Sequence, residues 1–187
     1  MDLWVTKQIP TALVDIANLE FDELESHDAS VVGGMNDAGV INKYDYGHRS
    51  STLRIPDYNY WLTGVMYHFG LAANEYAGWN FKVDGHECIQ VADYKENQHF
   101  DWHNDVIPFS GPTDRKVTVV CLMTEKDLFE GGELLIKDPQ VGNEIISLPL
   151  KKGTMVAIPS ALHHKVNKVT AGIRRTATLW LNGPCYR

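Results

Sequence analysis

The run 94–105 reads YKENQHFDWHND and holds two His-x-Asp pairs, His99 with Asp101 and His103 with Asp105. On an extended strand, residues two apart project from one face, so either pair sets an imidazole beside a carboxylate. Alone such a pair is commonplace, and an ordinary surface pair is its default reading. A second histidine from a neighbouring strand changes what the pair can do. Two imidazoles and a carboxylate cap one face of a six-coordinate ion, the donor set of non-haem iron(II) sites. Three adjacent positions stay free, two for a bidentate 2-oxo acid and one for dioxygen.

The run 158–175, IPSALHHKVNKVTAGIRR, offers that histidine and a cation. Arg174 follows His164 by ten residues across a turn at Ala171-Gly172, a separation that a hairpin closes. A guanidinium grips a carboxylate through two parallel hydrogen bonds, which an ammonium does less specifically. Strand alternation turns His163 and Arg175 to the opposite faces, where Arg175 reads as surface charge. His27, His48, His68 and His86 stand in no motif and read as structural or surface residues.

Such side chains need strands to hold them. Short β-like runs are expected near 87–94, 99–105, 117–124, 133–137, 144–150, 154–158, 164–169 and 174–182. Gly111-Pro112, Gly131-Gly132, Gly142-Asn143, Gly153, Ala171-Gly172 and Gly183-Pro184 separate them. Short strands with no helix between them indicate a sandwich or barrel. Upstream, Trp61, Leu62, Val65, Met66, Phe69 and Ala73 form an apolar stripe that predicts a helix over 57–76, with Asp57 as N-cap. A shorter helix is expected over 11–19. Residues 33–51, rich in Gly, Asn and Asp, read as a long loop and a candidate lid. The layout is α+β, mainly β, in one domain over 1–187: helical support and loop over 1–85, a jelly-roll core over 86–187.

A chain of 187 residues buries roughly 70% of its unfolded surface and needs no disulfide or structural metal. With 17 Lys plus Arg against 24 Asp plus Glu, the net charge is −7, which argues against a nucleic-acid partner. Cys88, Cys121 and Cys185 form no CxxC pair, and the first two sit in apolar runs as buried thiols. The opening MDLWVTKQIP has no basic n-region before an apolar stretch. No apolar run approaches the ~20 residues a bilayer demands. A cytoplasmic protein without membrane association is expected.

From about 87 to 184 the chain resembles the prolyl 4-hydroxylase and PKHD-type group of 2-oxoglutarate/iron(II) dioxygenases. That group places a tyrosine nine residues and an aromatic three residues before its HxD histidine. Tyr94 and Phe100 match if that histidine is His103, whereas His99 would put Gln90 and Glu96 there. A tryptophan often precedes the ligand, as Trp102 does. RKVTVVCLM, FEGGELLI, Pro159-Ser160 with His164, and Val169, Thr170, Gly172 and Arg174 match later motifs, as does Trp180 six after the arginine. Two positions depart: Asn97 replaces a common glycine, and Cys121 stands near a strand tyrosine that some prolyl hydroxylases use for the co-substrate.

The resemblance implies a double-stranded β-helix (jelly roll) with supporting N-terminal helices. It implies that His103, Asp105 and His164 hold Fe(2+), that Arg174 pairs with the far carboxylate of 2-oxoglutarate, and that Tyr94 and Trp180 lie beside it. O2 is the second co-substrate, with ascorbate an optional reductant. The implied reaction hydroxylates an amino-acid side chain, prolyl first, free or in a peptide or protein. Another small molecule or a non-prolyl residue is the nearest alternative. Nucleobase demethylation is disfavoured by Trp180, where that pattern has a second arginine, and a non-catalytic cupin-like metal binder by Arg174. Trp102 and Trp180 could flank a proline ring, although Trp102 reads equally as a spacer. Specificity is expected in the loops 33–51 and 106–114.

Overall fold

Long apolar runs such as VTVVCL and ATLWL become strands buried on both faces, because each face meets a different layer. The computed structural model describes residues 2–36, 39–106 and 113–185, with backbone alone over 31–42. Its larger sheet has eight strands. In spatial order these are Val5–Gln8, Thr154–Pro159, Thr113–Leu122, Arg174–Pro184, Gln90–Tyr94, Thr52–Arg54 and His27–Asp28, with Gly85–His86 also pairing Arg174–Pro184. The smaller, five-stranded sheet runs Glu144–Ser147, Leu134–Asp138, His164–Val166, His99–His103 and Arg49–Ser50. All pairings are antiparallel.

Period-2 alternation divides the larger sheet between two cores. Val117, Val119, Cys121, Met155, Ala157, Ala177, Leu179 and Leu181 pack beneath two helices, α1 (Thr11–Asp22) and α2 (Trp61–Tyr76). The intervening Val120, Val156, Ile158, Ala92 and Tyr94 face Leu134, Ile136 and Val166 of the smaller sheet. The helix lies close: a Cβ on Gly70 would stand 2.7 Å from Leu181 Cδ2. Among the described residues, no helix is long and apolar enough to cross a membrane.

Several expectations need correction. Helix α2 starts at Trp61, with Tyr60 at the cap position. Asp57 instead uses its carbonyl to accept the Tyr60 N–H at 3.0 Å in the turn before it. Residues 33–51 are not one loop. Val31–Asn36 pairs with Gly39–Lys43, and Arg49–Ser50 joins the smaller sheet. The N-terminal half thus contributes strands to both sheets. Cys88 is only half-buried, whereas Cys121 is fully buried, which pushes its thiol up to about 12. Most of the loop 106–114, with the Gly111-Pro112 break, lies outside the described residues.

Candidate active site

His103 and His164 sit directly opposite each other on paired strands, their ring centroids 4.3 Å apart. The strand expected to continue to Asp105 stops at His103. Asp105 is instead drawn in by its own N–H, which donates to the Ser160 carbonyl at 2.8 Å. Its Oδ1 lies 3.7 Å from His103 Nε2 and its Oδ2 lies 3.4 Å from His164 Nε2. One donor atom from each residue falls within 4.8 Å of the others, the sole such His, Cys, Asp and Glu cluster among the described residues.

Each histidine is oriented from behind. His103 Nδ1 donates to the Asp101 carbonyl at 2.6 Å, and His164 Nδ1 donates to the Leu162 carbonyl at 2.8 Å. In the neutral rings both Nε2 atoms are thereby left as acceptors, the tautomer a cation requires. Thr118 Oγ1 donates to Asp105 Oδ2 at 2.7 Å and lies 3.0 Å from Ser160 Oγ. Burial, then the facing His164, pushes His103 down to about 3, so its ring is neutral. Burial works to raise the Asp105 carboxyl, but the charge and hydrogen bond of His164 prevail and hold it well below the usual range. The same pairing overcomes burial at His164 and raises it. A divalent cation would displace that proton and take over its role as counter-charge.

Arg174 opens the central strand opposite Tyr94 and is 1% exposed. Its guanidinium carbon lies 5.5 Å from the Tyr94 ring centroid, and its Nη1 is buried without an acceptor. Burial lowers it to about 10, still a cation at neutral pH. Gly132 of the GGEL turn, at φ +63°, explains part of this placement: a Cβ there would stand 2.7 Å from Arg174 Cδ. Arg174, Thr176, Thr178 and Trp180, alternate residues of one strand, line a pocket with the triad, Tyr94 and Arg49. The pocket opens to solvent. Trp180 stacks under Arg115, whose guanidinium carbon is 3.8 Å from its ring, and Arg115 also pairs with Glu87 at 2.6 Å.

The sequence-expected residues His103, Asp105, His164, Arg174, Tyr94 and Trp180 thus share one pocket. Trp102 does not. Strand alternation turns it away from His103, toward Lys137 at 4.4 Å and Lys165 at 5.5 Å. Cys121 faces the helix-side core, and Val120 takes the place on the pocket face. Asn97 fits its glycine-like place because it adopts φ +67°, a conformation asparagine tolerates. Arg175 is not plain surface charge, since it grips Asp93 at 2.6 Å. His48, read as remote, lies edge-on to Phe100 and 6.4 Å from His103. Thr118, Thr176, Thr178 and Arg49 had no spacing signal of their own.

Residues 89–182, half of the chain, match the family model described as the 2OG-Fe(II) oxygenase superfamily. The chain belongs to that superfamily. Iron(II) and 2-oxoglutarate are what the family's description names, and the residues here fit both: a neutral-imidazole and carboxylate donor set, and a buried guanidinium with an unsatisfied donor. The chain is 37% identical over 92 residues to a PKHD-type hydroxylase of Gluconobacter oxydans (strain 621H), covering 46% of this chain and 39% of that protein. It is 33% identical over 93 residues to one of Bordetella pertussis (strain Tohama I), covering 47% and 40%. The chain therefore spans about two fifths of the length of these curated relatives.

In fold, the chain is similar to a Pseudomonas putida prolyl-4-hydroxylase, with a TM-score of 0.68 at 16% identity over 96% of this chain and 91% of that one. It is also similar to a viral collagen prolyl hydroxylase from Paramecium Bursaria Chlorella virus-1, solved with 2OG, with a TM-score of 0.65 at 16% identity over 97% of both. These neighbours share the chain's fold, the double-stranded β-helix.

Proposed function

We propose that this protein is an iron(II)- and 2-oxoglutarate-dependent hydroxylase of an amino-acid side chain, a prolyl ring in the first place. The observation that carries the reading is one pocket holding three cation donors and a buried arginine that lacks an acceptor. His103, Asp105 and His164 would hold the iron, with Thr118 and Ser160 fixing the carboxylate. Arg174 would receive the far carboxylate of 2-oxoglutarate, since a buried cation is costly until an anion pairs with it. Bound there, the iron and 2-oxoglutarate would supply the oxidising chemistry that turns a substrate C–H into C–OH while dioxygen converts 2-oxoglutarate to succinate and carbon dioxide. The chain's own task is geometric. Tyr94 packs by the Arg174 guanidinium and keeps water from it, while Trp180 presents an apolar wall to the substrate. The prolyl assignment draws support from the prolyl hydroxylase neighbours and from that wall.

Mass spectrometry tests the reading. Iron-replete protein is given 2-oxoglutarate, oxygen and a panel of free amino acids, proline-containing peptides and methylated oligonucleotides, with succinate measured alongside. A gain of one oxygen on proline or a prolyl peptide is expected. Oxygen on another amino acid discards proline and keeps the reaction; turnover of oligonucleotides alone contradicts the substrate class. Absence of succinate throughout contradicts the enzyme.

A further inference from the structure

Arg54, Arg115 and Arg175 each lie 2.6 Å from a carboxylate oxygen. Among the described residues, Arg49 and Arg174 have no carboxylate within 4.0 Å, and both line the pocket of the triad. Arg49 is 8% exposed and is carried there by pairing with Phe100 across the smaller sheet. Its guanidinium carbon lies 4.5 Å from the Phe100 ring centroid, and its Nη2 donates to Gln90 Oε1 at 2.6 Å. These contacts fix the group without neutralising it. Its Nε is buried with no acceptor. A buried cation is costly when unpaired, so a second such group in one pocket awaits a second anion.

We infer that Arg49 receives a carboxylate of the substrate, and that the substrate is a small molecule with a free carboxylate, an amino acid in the first place, rather than an internal residue of a peptide. The inference rests on the proposed hydroxylase, in which Arg174 is taken by 2-oxoglutarate. Arg49 would also orient its ligand. A carboxylate held at this wall, stacked by Phe100 beside His103, presents the rest of the molecule to the triad.

The test is isothermal titration under nitrogen, where no turnover occurs, of the iron(II)- and 2-oxoglutarate-loaded protein. The probes are the standard L-amino acids, L-proline among them, each beside its carboxamide, and a prolyl peptide blocked at both ends. At least one free acid is expected to bind, its carboxamide about tenfold more weakly or worse, as loss of a charged hydrogen-bond partner dictates. Arg49→Gln should erase that preference while leaving 2-oxoglutarate affinity within about threefold. Arg174→Gln should instead weaken 2-oxoglutarate. Equal binding of acid and carboxamide, binding of the blocked peptide alone, binding of no probe, or loss of 2-oxoglutarate in Arg49→Gln overturns the inference. The acid–amide comparison on the unaltered protein stands even if the variants fail to fold. Failure of the underlying hydroxylase reading shows separately, as iron-loaded wild-type protein that does not bind 2-oxoglutarate.

Discussion

Asp105 carries the most concentrated set of demands in the molecule. It is buried, faces two imidazoles, and keeps its charge because His164 outweighs burial, while the Ser160 carbonyl anchors its backbone and Thr118 donates to it. Removing that hydroxyl with a same-shaped side chain tests the support without opening a cavity. Thr118→Val is expected to weaken iron(II) binding roughly 10–100-fold, the usual effect of losing a group behind a metal ligand. Metal titration under nitrogen reads it, and unchanged affinity would show that the hydroxyl does not hold the carboxylate. Asp101→Ala should retain iron, because only the Asp101 carbonyl supports His103. At this scale the sequence was partly legible. Two His-x-Asp pairs were visible, and through the family resemblance Tyr94 and Phe100 selected His103 with Asp105, the pair that lies beside His164. Thr118 was not, since a threonine in an apolar run does not announce which face carries a carboxylate. Nor was Arg49, whose place depends on pairing with the distant Phe100.

Among elements, Arg175 ties three together. It bonds Asp93 on the Gln90–Tyr94 strand through Nε at 2.6 Å and Asp22 of α1 at 2.8 Å, while Arg54 holds the other side of Asp93 at 2.6 Å. Asp93 is buried, which raises its carboxyl, but Arg175 and then Arg54 prevail and depress it. Arg175→Ala leaves that carboxylate half-compensated and is expected to cost about 3 kcal/mol, the low end for breaking a buried pair. The melting temperature should fall roughly 6–12 °C. A depressed carboxyl stabilises the fold above its unfolded value of about 3.9 and loses that contribution as pH falls through the folded value. Melting curves from pH 7 to 3 should therefore converge for wild type and Arg175→Ala, and a constant gap would deny the pair its role. Alternation placed Arg175 on the face away from the site but could not say that α1 covers that face. The C-terminal strands were legible because burial on both faces leaves continuous apolar runs. The N-terminal strands, such as Arg49–Ser50 and Thr52–Arg54, are two or three residues long and show no periodicity.

Taken whole, the molecule is two sheets brought together so that the smaller one offers two histidines and the larger one offers Arg174 across a single pocket. The central claim is that cation and 2-oxoglutarate are held there together, by different residues. Titrating the iron(II)-loaded protein with 2-oxoglutarate under nitrogen, followed by visible absorbance, tests this most directly. Wild type should develop a new band that saturates stoichiometrically, and Asp105→Ala should bind too little iron to show it. Arg174→Gln should keep its iron yet need well over tenfold more 2-oxoglutarate, as loss of roughly 2–5 kcal/mol from a buried charge pair requires. An iron-replete wild-type protein without the band, or an Arg174→Gln variant that saturates as wild type does, would contradict the account.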